Sequence, residues 1–183
     1  MSGKVLVAGI GNIFLGDDGF GVEVAQRLLR ETFPDDVRVA DFGIRGLHLA
    51  YELLDGYDLA ILIDAVPRGG SPGTLYVIDP DLDTSPGDVT ADTPALDAHG
   101  MDPVAVLAMA RTLGGEMGRV LIVGCEPATL EESIGLSEPV AAAVAESMRI
   151  VRELVAAELS VSGSVSGSVS GSMSVPAGAA GRT

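Results

Sequence analysis

Four side chains in this sequence are candidates for one piece of chemistry that takes two aspartates and a histidine. Asp17 and Asp18 stand together in the segment GIGNIFLGDDGFG, Asp64 follows the apolar run LAILI, and His99 lies in the polar stretch TPALDAHGMDP. Two carboxylates and one imidazole make a borderline metal site with open coordination positions, suited to nickel, zinc or iron. They could equally serve acid–base chemistry without a resident metal. The residues are far apart in sequence and lack a compact motif such as HExxH, so the residue types favour a transiently held metal over a tightly bound one.

Each residue also has a plainer explanation. An acid is favoured at a helix N-terminus by capping and by the helix dipole, and that suffices for Asp17. Two adjacent acids framed by Gly16, Gly19 and Gly21 exceed what a cap requires, which leaves a functional reading for Asp18. A carboxylate at the end of a buried strand is unusual unless it is paired or ligating, so Asp64 is read as functional. His99 gains weight only from convergence with the two aspartates. His48, among apolar residues of a helical stretch, is read as a core or surface histidine. Asp41 is explained equally by a turn and by the site. Cys125 follows a buried strand with no histidine partner and is read as an inert thiol.

The glycine-rich segment invites a nucleotide reading, which the residues refuse. A dinucleotide fingerprint from Gly9 needs a small residue where Phe14 stands, and a phosphate-binding loop from Gly11 needs lysine where Asp17 stands. A carboxylate about 5 Å from a phosphate charge costs roughly 3 kcal/mol at an effective dielectric of about 20. A phosphoacceptor receiver domain is a more distant rival. It uses an acidic pair after strand one, but it also wants a late lysine, and Lys4 is the only lysine here.

The elements that would position these residues can be read from periodicity. Residues 4–9, 37–42, 58–66, 74–78 and 119–124 read as strands. Residues 19–32, 47–55, 102–113 and 139–159 read as helices, the last with Val140, Val144, Val151 and Val155 on one stripe. Alternation of this kind predicts a three-layer α/β/α sandwich around a mostly parallel twisted sheet of about five strands. In such sheets function collects at the carboxyl ends of the strands, at a topological switch point. If strands one and three are neighbours, the Asp17–Asp18 loop and Asp64 meet at one crevice.

Composition sets the outer bounds. Residues 1–159 suit one α/β domain, and residues 160–183, a Ser-Gly-Val repeat, read as a flexible tail. With 26 acidic against 11 basic residues, the formal charge of −15 argues against nucleic acid and anionic membranes as partners. One cysteine allows no internal disulfide, no apolar run reaches a membrane span, and no cleavable leader is recognisable, so the expected location is the cytoplasm.

At these residues the chain resembles the nickel–iron hydrogenase maturation endopeptidases. The resemblance runs over nearly all of residues 4–155. It is carried by VLVAGIGNIFLGDDGFGVEV, DFGIRGLHLAYELL, LAILIDAV with GTLYVI, the histidine loop, and VLIVGCEP with ESIGLSEPV. It implies a peptidase that removes the C-terminal extension of a hydrogenase large-subunit precursor after nickel insertion. The resemblance also implies that the nickel is supplied by the precursor rather than held tightly by the enzyme. The family's metal-contacting residues fall on Asp18, where some members carry glutamate, and on Asp64 and His99. The rival from another class is a non-catalytic, nickel-dependent checkpoint or chaperone that binds the same precursor without cutting it.

Overall fold

The computed structural model describes residues 3–80 and 102–165. The first strand, β1 (Val5–Ile10), leads through a single 3-10 turn (Gly16–Gly19) into α1 (Phe20–Leu28). There follow β2 (Val37–Gly43), α2 (Gly46–Leu53), β3 (Leu59–Ala65), β4 (Leu75–Ile78), α3 (Pro103–Thr112), β5 (Arg119–Cys125) and α4 (Glu138–Val165). The five strands form one sheet in the order β2-β1-β3-β5-β4. The β1–β2, β1–β3 and β3–β5 pairs are parallel, and β4 runs antiparallel along the outer edge of β5. The link from Ala65 to Leu75 is too short for the helical crossover a parallel strand needs, so the chain turns back at the carboxyl end of the sheet and β4 runs down the far side of β5.

Side chains alternate across the strands and build a core on each face. Val5, Val7, Leu59, Ile61 and Ile63 pack with α1 and α4, whereas Leu6, Ala8, Ile10, Ala60 and Leu62 pack with α2 and α3. Because helices cover both faces, β1 and β3 read as unbroken apolar runs rather than alternating ones. The expected α4 stripe is present, with Val140, Val144, Val151 and Val155 all buried. No helix among the described residues is long and apolar enough to cross a membrane.

Two helix ends differ from the periodicity. The helix expected over 19–32 is regular only to Leu28. Arg30 N–H and Glu31 N–H then bond to carbonyls three residues back, and the chain unwinds before Pro34. At the other end of the chain, α4 runs through Val165 rather than stopping at Leu159. Extending an existing helix adds a backbone hydrogen bond per residue without a new nucleation cost, which suits even a Ser-rich segment. The Ser160 hydroxyl donates to the Ala156 carbonyl at 2.8 Å, and Val161 is exposed, so this extension is held locally rather than by packing. Residues 166–183 lie outside the described part.

Candidate active site

The sheet reverses direction of growth between β1 and β3, which are direct neighbours with Gly9 opposite Ile63. The crevice beyond their carboxyl ends is therefore the switch point of the fold. Backbone packing there is unusually close. A Cβ on Gly21 would lie 2.0 Å from the Ile63 carbonyl oxygen and 2.4 Å from that of Ile10, so the first turn of α1 rests directly on both strand ends. Gly11 has φ +134, and a Cβ there would lie 1.8 Å from the Asp18 carbonyl oxygen and 3.7 Å from Asp64 Oδ1. Only glycine lets the 3-10 turn fold back over the end of β3. The sequence GIGN…GDDGFG is thus the packing device that brings Asp18 towards Asp64.

Each of these two acids is pinned by one backbone amide. Asp18 Oδ2 accepts from Asn12 N–H at 2.7 Å, and Asp64 Oδ1 accepts from Ala65 N–H at 2.8 Å. The other oxygen of each carboxylate has no hydrogen bond among the described residues. Asp64 is buried and Asp18 half-buried. Burial raises the pKa of Asp64 well above the usual carboxylate range, and the Asp18 charge pushes it further; the Ala65 amide opposes this only in part. Burial also raises Asp18, against the pull of the Asn12 amide. The pair is an electrostatically uncomfortable site with two unused oxygens, which is what an incoming cation or an acid–base step requires.

A third carboxylate contributes to the same field. Asp102 caps α3, its Oδ1 accepting from Val104 N–H at 3.1 Å, and its charge adds to the upward push on Asp64. The Asp-Pro pair at 102–103 is a legible helix start, but its nearness to Asp64 is set by the sheet and not by local sequence.

Asp17 behaves differently from its neighbour. It makes no capping bond in the 3-10 turn, contrary to the capping expectation. Instead its carboxylate is wholly buried and accepts from Ala128 N–H (2.8 Å), Thr129 N–H (3.1 Å), Ser137 N–H (2.7 Å) and the Ser137 hydroxyl (2.8 Å). Burial alone would raise its pKa, but the bonds from Ser137, Ala128 and Thr129 outweigh it and hold the group ionised below the ordinary range. Asp17 ties the loop that carries Asp18 to the segment between β5 and α4. Glu126, not singled out in the sequence, does the same for the β3–β4 loop. It accepts from Arg68 N–H, Gly69 N–H and the Tyr76 hydroxyl at 2.8, 3.0 and 2.9 Å.

The remaining candidates divide clearly. His48 is exposed on α2. Asp41 lies near the end of β2, opposite Gly9 of β1, and Gln26 donates to its Oδ2 at 3.1 Å. Cys125 is buried, with its thiol pushed up to about 11 by burial and by the charges of Asp17 and Glu126, so it is no nucleophile. His99 lies outside the described residues. Among the described residues no three His, Cys, Asp or Glu side chains form a group able to hold a metal ion. A receiver-type acidic pair is also excluded, because Asp17 spends all its capacity on the β5–α4 segment and only Asp18 joins Asp64.

Comparison with known proteins places this geometry in a context. The family model described as hydrogenase maturation protease matches residues 22–154. The hydrogenase expression/formation protein HoxM of Azotobacter vinelandii is 36% identical over 155 residues, 84% of this chain and 72% of the relative. A hydrogenase 2 maturation peptidase from a Thaumarchaeota archaeon superposes with a TM-score of 0.64 at 34% identity, over 84% of this chain and 98% of that one. The hydrogenase maturating endopeptidase HybD of E. coli superposes with a TM-score of 0.68 at 27% identity, over 84% of this chain and 93% of that one.

Proposed function

The chain belongs to the hydrogenase maturation proteases, and from that premise we propose that it removes the C-terminal extension of a nickel–iron hydrogenase large-subunit precursor after nickel has been inserted. The observation that carries this reading is the pair Asp18 and Asp64, each held by one amide and each keeping one oxygen uncommitted among the described residues. In this account the nickel arrives as part of the substrate, bound to the precursor, and meets those two oxygens and His99. A cation would offset both the burial and the Asp18 repulsion that raise the pKa of Asp64. We assign the reaction to the cytoplasm, a reducing compartment that suits a chain with one cysteine.

The chemistry is hydrolysis of one peptide bond, in which water adds to the carbonyl carbon and its proton ends on the leaving amine. The substrate's nickel orients the scissile segment and withdraws charge from the reacting carbonyl or water. The enzyme's carboxylates place that metal and accept a proton from the attacking water.

Intact-mass analysis tests the reading: the purified protein is mixed with the large-subunit precursor prepared with and without nickel. Loss of a short C-terminal peptide only from the nickel-loaded precursor is expected. Stable binding without a mass change would instead assign the checkpoint role.

A pH dependence follows from the same pair. Below the raised pKa of Asp64 a proton occupies the oxygen that nickel needs, so binding weakens by about tenfold per pH unit. KM for the nickel-loaded precursor should therefore climb on the acid side at a pH above that of an ordinary aspartate. Steady-state cleavage across pH checks this, and a KM flat down to the range of a normal carboxylate would contradict it.

A further inference from the structure

Asn12 follows the carboxyl end of β1, next to Gly11, where an added Cβ would lie 3.7 Å from Asp64 Oδ1. Its backbone N–H is the donor that holds Asp18 Oδ2 at 2.7 Å. Its backbone carbonyl accepts from Leu15 N–H at 3.1 Å, and its side-chain Oδ1 accepts from Phe14 N–H at 3.0 Å. The Phe14 amide requires an acceptor, so the carboxamide oxygen faces it and the Nδ2 group faces away. That group alone in Asn12 has no hydrogen bond among the described residues. Asn12 is half-buried, yet among the described residues only Ser147 Oγ is a buried side-chain polar atom without a partner. The Asn12 Nδ2 group is therefore open to solvent beside the crevice.

The chemistry of the site needs such a donor. Hydrolysis of a peptide bond places negative charge on the scissile carbonyl oxygen in the transition state, and a preorganised N–H is the usual way to meet it. The carboxylates of Asp18, Asp64 and Asp102 can only repel that charge when ionised. The other side-chain donors at this edge of the sheet are occupied or turned elsewhere. Arg45 donates to the carbonyls of Asp41 and Phe42, Ser137 donates to Asp17, and the Arg68 guanidinium lies 5.3 Å from the centre of the Tyr76 ring on the β4 side.

Resting on the proposed function, we infer that Asn12 is a catalytic residue whose Nδ2–H donates to the scissile carbonyl oxygen as it becomes an oxyanion. The water oxygen bonds to the carbonyl carbon, its proton passes to a site carboxylate, and the carbonyl π electrons move onto the oxygen that Asn12 holds. On collapse the C=O bond re-forms, the C–N bond breaks, and the carboxyl proton goes to the leaving amine. The bond from Phe14 fixes the carboxamide before the substrate arrives, so the donor needs no reorganisation during the reaction.

Cleavage of the nickel-loaded precursor by Asn12→Asp and Asn12→Ser tests this. Both variants keep a side-chain oxygen that can accept from Phe14 N–H, and neither alters the backbone amide that grips Asp18. Both lack the oriented Nδ2 donor, and the neutral serine separates that loss from the effect of an added charge. Each should lower kcat by roughly 10²–10³-fold while KM stays within about threefold and the thermal melt stays close to wild type. A serine variant whose kcat is within about threefold of wild type would overturn the assignment. So would a raised KM and a lowered Tm at unchanged kcat, which is the signature of a loosened Asp18 loop. If wild-type protein does not cleave the nickel-loaded precursor, the peptidase reading itself falls, and the role of Asn12 with it.

Discussion

Asp64→Asn should abolish cleavage while making the protein more stable. Asparagine keeps the shape of the side chain and can still accept from Ala65 N–H, so the backbone at the end of β3 has no reason to move. What it removes is the charge, and with it both the attraction for the substrate's nickel and the capacity to take a proton. Loss of a metal-placing or proton-accepting carboxylate costs on the order of 10²–10⁴ in rate.

The stability arm has the opposite sign. Asp64 binds its proton more tightly in the folded state than in the unfolded chain, because burial and Asp18 both oppose ionisation. Its favourable contribution is therefore present below the unfolded pKa and is lost as pH rises through the folded one. As pH rises, the wild type comes to hold a buried, repelled carboxylate that the variant lacks. Relief of such a functional strain is commonly worth about 0.5–2 kcal/mol, or roughly 2–6 °C in Tm for a chain of this size. Thermal melts at pH 8 and pH 4 check this, since the gain should shrink towards acid. A variant that is both inactive and less stable at pH 8 would show that Asp64 holds the fold together and would undo its assignment to the site.

The second large effect belongs to Asp17, and it runs the other way. Asp17→Ala leaves three backbone N–H groups and the Ser137 hydroxyl without the buried carboxylate that they donate to, although the donor residues themselves are only part-buried or exposed. Each unsatisfied buried donor costs about 1–3 kcal/mol, and access of water to these donors brings the expected total to about 2–4 kcal/mol. Here the folded pKa is depressed, so the stabilisation is present above the unfolded pKa and fades as pH falls through the folded value. Urea unfolding at pH 7 should show the full loss for Asp17→Ala, and the gap to wild type should narrow in acid. Activity should fall too. The loop carrying Asp18 is fastened to the β5–α4 segment by this carboxylate and by Gly16 N–H to Ser133 O, Asp17 N–H to Thr129 O and Ser133 N–H to Phe14 O. A cost under about 1 kcal/mol would mean that the backbone ladder alone suffices.

These two aspartates show which parts of the molecule were legible in the sequence. The unbroken apolar runs of β1 and β3 announced a sheet covered on both faces, and the valine stripe of α4 announced its buried side. The convergence of the Asp18 loop with Asp64 followed from β1 and β3 being neighbours, a property of the common doubly wound orders. Asp17 could not be assigned correctly, because its partners stand 111 to 120 residues away and belong to a loop without periodicity. Local rules offered only a cap. Asp102 was readable as a helix start but not as a neighbour of Asp64, and Glu126 was hidden in the CEP turn for the same reason. The end of α4 was misjudged because Ser and Gly lower helix propensity, yet an established helix extends at little cost. The expectation for His99 lies on residues outside the described part.

The central claim is that Asp18 and Asp64 touch nickel that the precursor brings. Nickel K-edge absorption of the nickel-loaded precursor, recorded alone and in a complex with the protein frozen within the first turnover, measures this directly. The account predicts that binding adds oxygen ligands to the nickel and that Asp64→Asn removes part of that gain. An unchanged nickel spectrum in a complex that still goes on to cleave would contradict it, and would leave the two carboxylates to act on the peptide alone.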